Sequence, residues 1–75
     1  MDRLSHLPPG ASATVRSVLG EPAVALRLAS LGFRPGTVVS CVRPAPLGDP
    51  TVYRLRGYDM ALRRREAEQI VVHAG

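Results

Sequence analysis

Cys41 is the only cysteine in a chain of 75 residues, so no intrachain disulfide can staple whatever fold the chain adopts. A domain this small buries only about 60% of the surface its unfolded form exposes, which places it near the lower limit for folding alone. The usual supplements are disulfides or a structural metal. His6 and His73 stand at opposite ends of the sequence, unlike the tight ligand spacing of a structural zinc site. Stability therefore rests on the apolar fraction, 45%, which is ordinary for a globular protein. One domain spanning 1–75 is expected, with no linker and no internal repeat.

Glycine and proline then divide the chain. Residues 1–9 read as a tail, flexible over 1–6 and ending in Pro8 and Pro9. Ala13 and Val15 alternate with Thr14 and Arg16 after Gly10, which is strand periodicity. Pro22 suits the first turn of a helix, predicted to run from Pro22 to Leu31. Val24, Leu28 and Leu31 share one face, with Ala25 beside them. Gly32 is placed to close the helix in a left-handed conformation, which brings Phe33 against Leu28. Pro35 and Gly36 fit the centre of a type II turn.

Thr37–Arg43 reads as a strand with Val39 and Cys41 on one face and Val38, Ser40 and Val42 on the other. Two apolar faces imply burial on both sides or a patch that a partner covers, and leave weak self-association open. Pro44, Pro46 and Pro50 stiffen the next loop. Thr51–Arg56 returns as a strand with Tyr53 and Leu55 inward. Gly57, Tyr58 and Asp59 read as a hairpin turn into Met60–Arg63. Arg64–Glu68 suits one helical turn with an Arg64–Glu68 ion pair, and Ile70–Val72 is a last strand. The predicted fold class is all-β with a minor helix: a small, partly open barrel of about five strands, one helix after the first strand and a helical turn before the last.

Three blocks of this pattern carry a resemblance: Arg27, Leu28, Leu31, Gly32, Phe33, Pro35 and Gly36; then 45–50; then Arg56, Gly57, Tyr58, Ala61–Arg64, Glu66, Ala67 and Ile70–Val72. In that order and spacing the chain resembles the FeoA family over roughly residues 7–74. The resemblance implies an SH3-like barrel and a small cytoplasmic accessory protein of bacterial ferrous iron uptake. Its implied partner is FeoB, a membrane transporter with a cytoplasmic G-protein domain. A similar barrel forms the C-terminal domain of metal-dependent repressors, so a nucleic-acid- or metal-binding module is the alternative. This chain lacks the DNA-binding and dimerisation segments that such repressors carry.

Composition narrows the function further. The net charge is +4 and every basic residue is arginine, which suits nucleic acid, acidic proteins or anionic headgroups. Phe33, Tyr53 and Tyr58 are the only aromatics, too few for a base-stacking platform, so no nucleic acid is expected. Apolar runs are too short to span a membrane, so a membrane is met only through a partner. With the lone cysteine and no apolar run of signal length, this points to the cytoplasm.

No catalytic constellation is expected. Cys41 falls on the inward face of its strand, where cysteine behaves as a small hydrophobe. Asp2, Ser5 and His6 crowd into the tail, where nothing holds a triad. No Walker-type glycine loop is present. His6 and His73 are weak metal candidates: pairing of the first and last strands could bring them together, with Asp59 or Glu68 to complete a site, yet two imidazoles alone bind poorly. No cofactor is expected. The partner-binding candidates are Pro46, Leu47 and Asp49 in the stiff loop, Tyr58 at a turn tip, and Arg54 and Arg56 on one strand with Arg63 opposite them, an outward positive stripe suited to carboxylates.

Overall fold

The computed structural model describes residues 2–74. In chain order these form β1 (Asp2–Arg3), a 3-10 turn (Leu4–His6), β2 (Ser12–Val18), α1 (Pro22–Ser30), β3 (Val38–Pro44), β4 (Thr51–Leu55), β5 (Tyr58–Leu62), α2 (Arg64–Ala67) and β6 (Ile70–Ala74). The six strands make one sheet in the order β1-β6-β2-β3-β4-β5, and every neighbouring pair is antiparallel. The sheet curls. Tyr53 in β4 places its hydroxyl 3.4 Å from the carbonyl of Leu4, although four strand positions separate β4 from β1. The expected partly open barrel is present, with one more strand than the predicted five.

The extra strand corrects the reading of a flexible tail over residues 2–6; Met1 lies outside the described residues. Asp2 pairs with Val72 and Arg3 with Val71. Leu4 is fully buried, and Leu7 packs against the core. The Arg3 guanidinium donates to the carbonyl of Glu68 at 2.7 Å. Leu4 and Leu7 lie three apart, which a single 3-10 turn brings to one side, while the strand pairing itself depends on residues almost seventy positions away.

The helix stop forms as the residue types dictate. Gly32 takes φ +114°; its N–H donates to Ala29 (3.0 Å) and that of Phe33 to Leu28 (3.1 Å). These two bonds constitute a Schellman closure, with Phe33 and Leu28 as its hydrophobic contact. Both side chains are fully buried. A Cβ at position 32 would meet the Leu55 side chain and the Tyr58 hydroxyl at 3.0 Å each, so the site needs glycine twice over. Pro35 and Gly36 then form the type II turn, closed by Thr37 N–H to Arg34 O at 3.0 Å.

Only one face of β3 is buried. Val39 and Cys41 point into the core, whereas Val38 is 54% exposed. The hairpin turn also sits earlier than predicted. Arg56 (φ +53°) and Gly57 (φ +84°) are its two central residues, and Tyr58 already pairs with Leu55. Two consecutive positive φ angles are what a type I′ turn requires; Arg56 accepts a conformation that arginine seldom takes, so residue type alone gave no sign of it. The Arg64–Glu68 ion pair is not among those of the described residues. Glu66 instead pairs with Arg27, tying α2 to α1, and accepts the Arg63 N–H at 3.0 Å.

Candidate functional site

The β3–β4 loop is built to hold its shape. A register shift between Cys41 and Arg43 turns the chain at its entry, in the manner of a β-bulge. Ala45 N–H donates to Pro50 O (2.8 Å) and Gly48 N–H to Ala45 O (2.7 Å). Asp49 accepts the Arg64 N–H at 3.0 Å, a bond across fifteen residues that satisfies an orphan donor at the start of α2. Leu47 stands at the tip, 96% exposed, and Pro46 is exposed beside it. An apolar side chain on a braced loop loses little freedom when a partner covers it.

The arginines are arranged differently from the predicted stripe. Arg54 lies opposite Asp59, not Arg63, and its fork grips the Asp59 carboxylate at 2.7 and 3.1 Å. That pairing holds the Asp59 carboxyl below the usual carboxylate range. Arg56 sits in the turn before β5 and Arg63 just beyond its end, so the two exposed cations bracket the strand. Tyr58 is half exposed, and its hydroxyl donates to Leu31 O at 2.8 Å, clamping the hairpin to the end of α1. Gly32, Arg34, Arg56 and Tyr58 together line a polar cavity of about 240 Å³. Arg34 is fixed there by donation to Ala29 O at 3.1 Å. This cavity went unread in the sequence, because more than twenty residues separate its two halves.

Pairing of β1 with β6 does bring the histidines into one place. Asp2, His6 and His73 all line a second cavity of about 270 Å³, and His6 Nδ1 lies 2.5 Å from Asp2 Oδ1. Asp59 lies in β5, at the opposite edge of the sheet, and cannot complete the set. Among the described residues no three His, Cys, Asp or Glu side chains are grouped to hold a metal. Ser5 lines a different cavity, beside Cys41 and Tyr53, so it does not join His6 and Asp2. Burial pushes the Cys41 thiol up and, with the neighbouring Cys41 charge, takes the Tyr53 phenol to about 12. Both stay neutral near pH 7, which suits core packing.

A curled antiparallel sheet, with a helix between its second and third strands and a helical turn before its last, defines a small SH3-like domain. No helix among the described residues is long and apolar enough to cross a membrane. The chain belongs to the FeoA family: the FeoA domain model matches residues 3–74. A protein of Porphyromonas gingivalis described as an Fe(2+) transport protein A/Fe(2+) transporter FeoB fusion is 39% identical over 70 residues, 93% of this chain. The chain spans only 8% of that protein's length.

Among solved structures, the FeoA protein of Chlorobium tepidum is 46% identical, with a TM-score of 0.88, over 96% of this chain and 69% of that one. The FeoA of Stenotrophomonas maltophilia, solved with zinc and described as a procaryotic SH3 domain protein, is 38% identical with a TM-score of 0.84, over 96% of this chain and 89% of that one. A manganese-dependent transcriptional repressor aligns over 97% of this chain and 41% of its own, with a TM-score of 0.86. Its identity is 16%, a likeness of fold alone.

Proposed function

We propose that this chain is a cytoplasmic accessory domain of ferrous iron uptake that docks on the cytoplasmic part of a FeoB-type transporter and modulates its activity. The observation that carries the reading is the Porphyromonas gingivalis relative, in which the matching segment and the transporter share one polypeptide. Covalent linkage raises the effective concentration of two modules that work together, and docking of one on the other still needs a contact surface. The braced loop supplies one. Leu47, with Pro46 beside it, is the anchor, and Asp49 holds the loop by its bond to the Arg64 N–H. Ferrous iron is the transporter's cargo in this reading and needs no ligand set here. The domain performs no bond-making of its own.

The test is titration of the full chain against the transporter's cytoplasmic domain by calorimetry, with Leu47→Asp as the variant. Leu47 is almost wholly exposed, so the substitution changes stability by less than about 0.5 kcal/mol while weakening binding tenfold or more. No association of the wild-type chain, together with normal iron uptake on its deletion, removes the reading.

A further inference from the structure

β5 is an edge strand of the sheet, and a cavity lined in part by Arg34 and Arg56 lies at its end. On one side β5 pairs with β4; among the described residues no strand lies on the other. The register shows which backbone groups are open. Leu55 and Tyr58 flank a two-residue turn, which makes them a hydrogen-bonded pair, and such pairs alternate along an antiparallel ladder. Tyr58, Met60 and Leu62 therefore direct their N–H and C=O groups to β4. Asp59 and Ala61 direct theirs outward, and both residues are exposed.

Edges of this kind are normally blunted by proline, lysine or an inward charge. The strand reads Tyr58, Asp59, Met60, Ala61, Leu62 and carries no such guard: its one charge is neutralised by Arg54. At one end lies the cavity lined by Gly32, Arg34, Arg56 and Tyr58. At the other stands Arg63. A segment laid along the edge from Arg56 to Arg63 would be about 23 Å long at strand rise.

We infer that the β5 edge accepts an extended acidic segment of a partner protein as a seventh strand, with one carboxylate entering the Arg34–Arg56 cavity and another meeting Arg63. Main-chain bonds to Asp59 and Ala61 supply affinity, and the arginine forks supply charge selection. Charge excludes a second copy of this chain: antiparallel self-pairing centred on Met60 sets the Arg56 end of one copy against the Arg63 and Arg64 end of the other. The Arg34–Arg56 end of the edge lies away from the Leu47 loop, because that loop precedes β4 and the Arg56–Gly57 turn follows it; the Arg63 end adjoins the loop, whose Asp49 accepts the Arg64 N–H. Arg56→Asn in the edge and Leu47→Asp in the loop therefore report on the two surfaces separately.

The experiment uses the full isotope-labelled chain and a nine-residue peptide with glutamate at its ends and centre and valine and threonine between. A lysine version of the peptide and a ten-nucleotide oligothymidylate serve as alternative probes. The expected result is a shift of the Asp59 and Ala61 amide signals, with hydrogen exchange at both slowed tenfold or more. Ala61→Pro removes an outward N–H without breaking the β4 ladder and should weaken binding at least tenfold. Arg56→Asn keeps a residue that tolerates positive φ and should weaken it about fivefold at low salt. The proposal is overturned if signal changes gather elsewhere, if the lysine peptide binds as well, or if the oligonucleotide displaces the acidic peptide more tightly than it binds. It is equally overturned if a natively folded Ala61→Pro binds as the wild type does; should that variant not fold, Arg56→Asn and the exchange pattern decide.

Discussion

Replacing Gly32 by alanine tests the coupling between the end of α1 and the β4–β5 hairpin. Two penalties meet at this position. The backbone φ of +114° lies beyond the left-handed helical well, where a residue with a Cβ is strained by about 1–3 kcal/mol. The new methyl would also stand 3.0 Å from both Leu55 Cδ1 and the Tyr58 hydroxyl. Leu55 is 1% exposed and has no room to retreat, so overpacking adds about 1 kcal/mol or more. The expected loss is about 3 kcal/mol in total, a large share of the roughly 4–11 kcal/mol available to a domain of this size.

Gly36→Ala is the control. Its φ is +91° with nothing within 4 Å of a Cβ, so it incurs the backbone strain alone. Urea unfolding at 25 °C, followed by circular dichroism, measures both variants. The crowding is refined by a double-mutant cycle with Tyr58→Phe, which removes one of the two atoms in the way and should recover about 0.5–1 kcal/mol of the Gly32→Ala loss. If Gly32→Ala is no more destabilising than Gly36→Ala, the close approach of hairpin and helix end is wrong.

Leu4→Ala should cost about 2–5 kcal/mol by thermal or urea unfolding, because Leu4 is fully buried; a change below about 0.5 kcal/mol would restore the tail reading. Asp59 has a folded pKa below its ordinary value, so its contribution to stability is complete above about pH 4 and fades as pH falls through the folded pKa. The acid limb of a stability–pH profile should accordingly flatten in Asp59→Asn, and an unchanged limb would refute the pairing with Arg54. Cys41, 3% exposed with its thiol pushed up by burial, should react with a thiol reagent at least a hundredfold more slowly in the native chain than in urea. Prompt labelling of folded protein would place it outside the core.

Local chemistry explains which parts were legible in advance. The stretch from Arg27 to Gly36 was readable because each step rests on neighbours: glycine for a left-handed closure, Phe33 beside Leu28, proline before glycine in a turn. The Pro44–Pro50 loop was readable for the same reason. Residues 2–7 were misread because nothing within ten positions signals that Asp2 and Arg3 will pair with Val72 and Val71. The turn at Arg56 was placed late because the sheet holds arginine at a φ it rarely adopts. The arginine stripe failed on register: the turn closes at Arg56 and Gly57, which sets Asp59, not Arg63, across from Arg54. The Asp49–Arg64 bond and the Arg34–Arg56 cavity join segments fifteen and twenty-two positions apart, which the β4–β5 and β3–β4 pairings bring together.

In the strand order, the last strand in the sequence lies between the first two. During synthesis neither β1 nor the outer side of β2 has its neighbour until β6 has left the ribosome. The nascent chain therefore offers two bare edges for most of its emergence, and folding has to be a late, concerted event rather than a gradual accretion from the front. Contacts this remote along the chain slow the search for the native state, so the barrel closes only once β6 is available to fill the gap between β1 and β2.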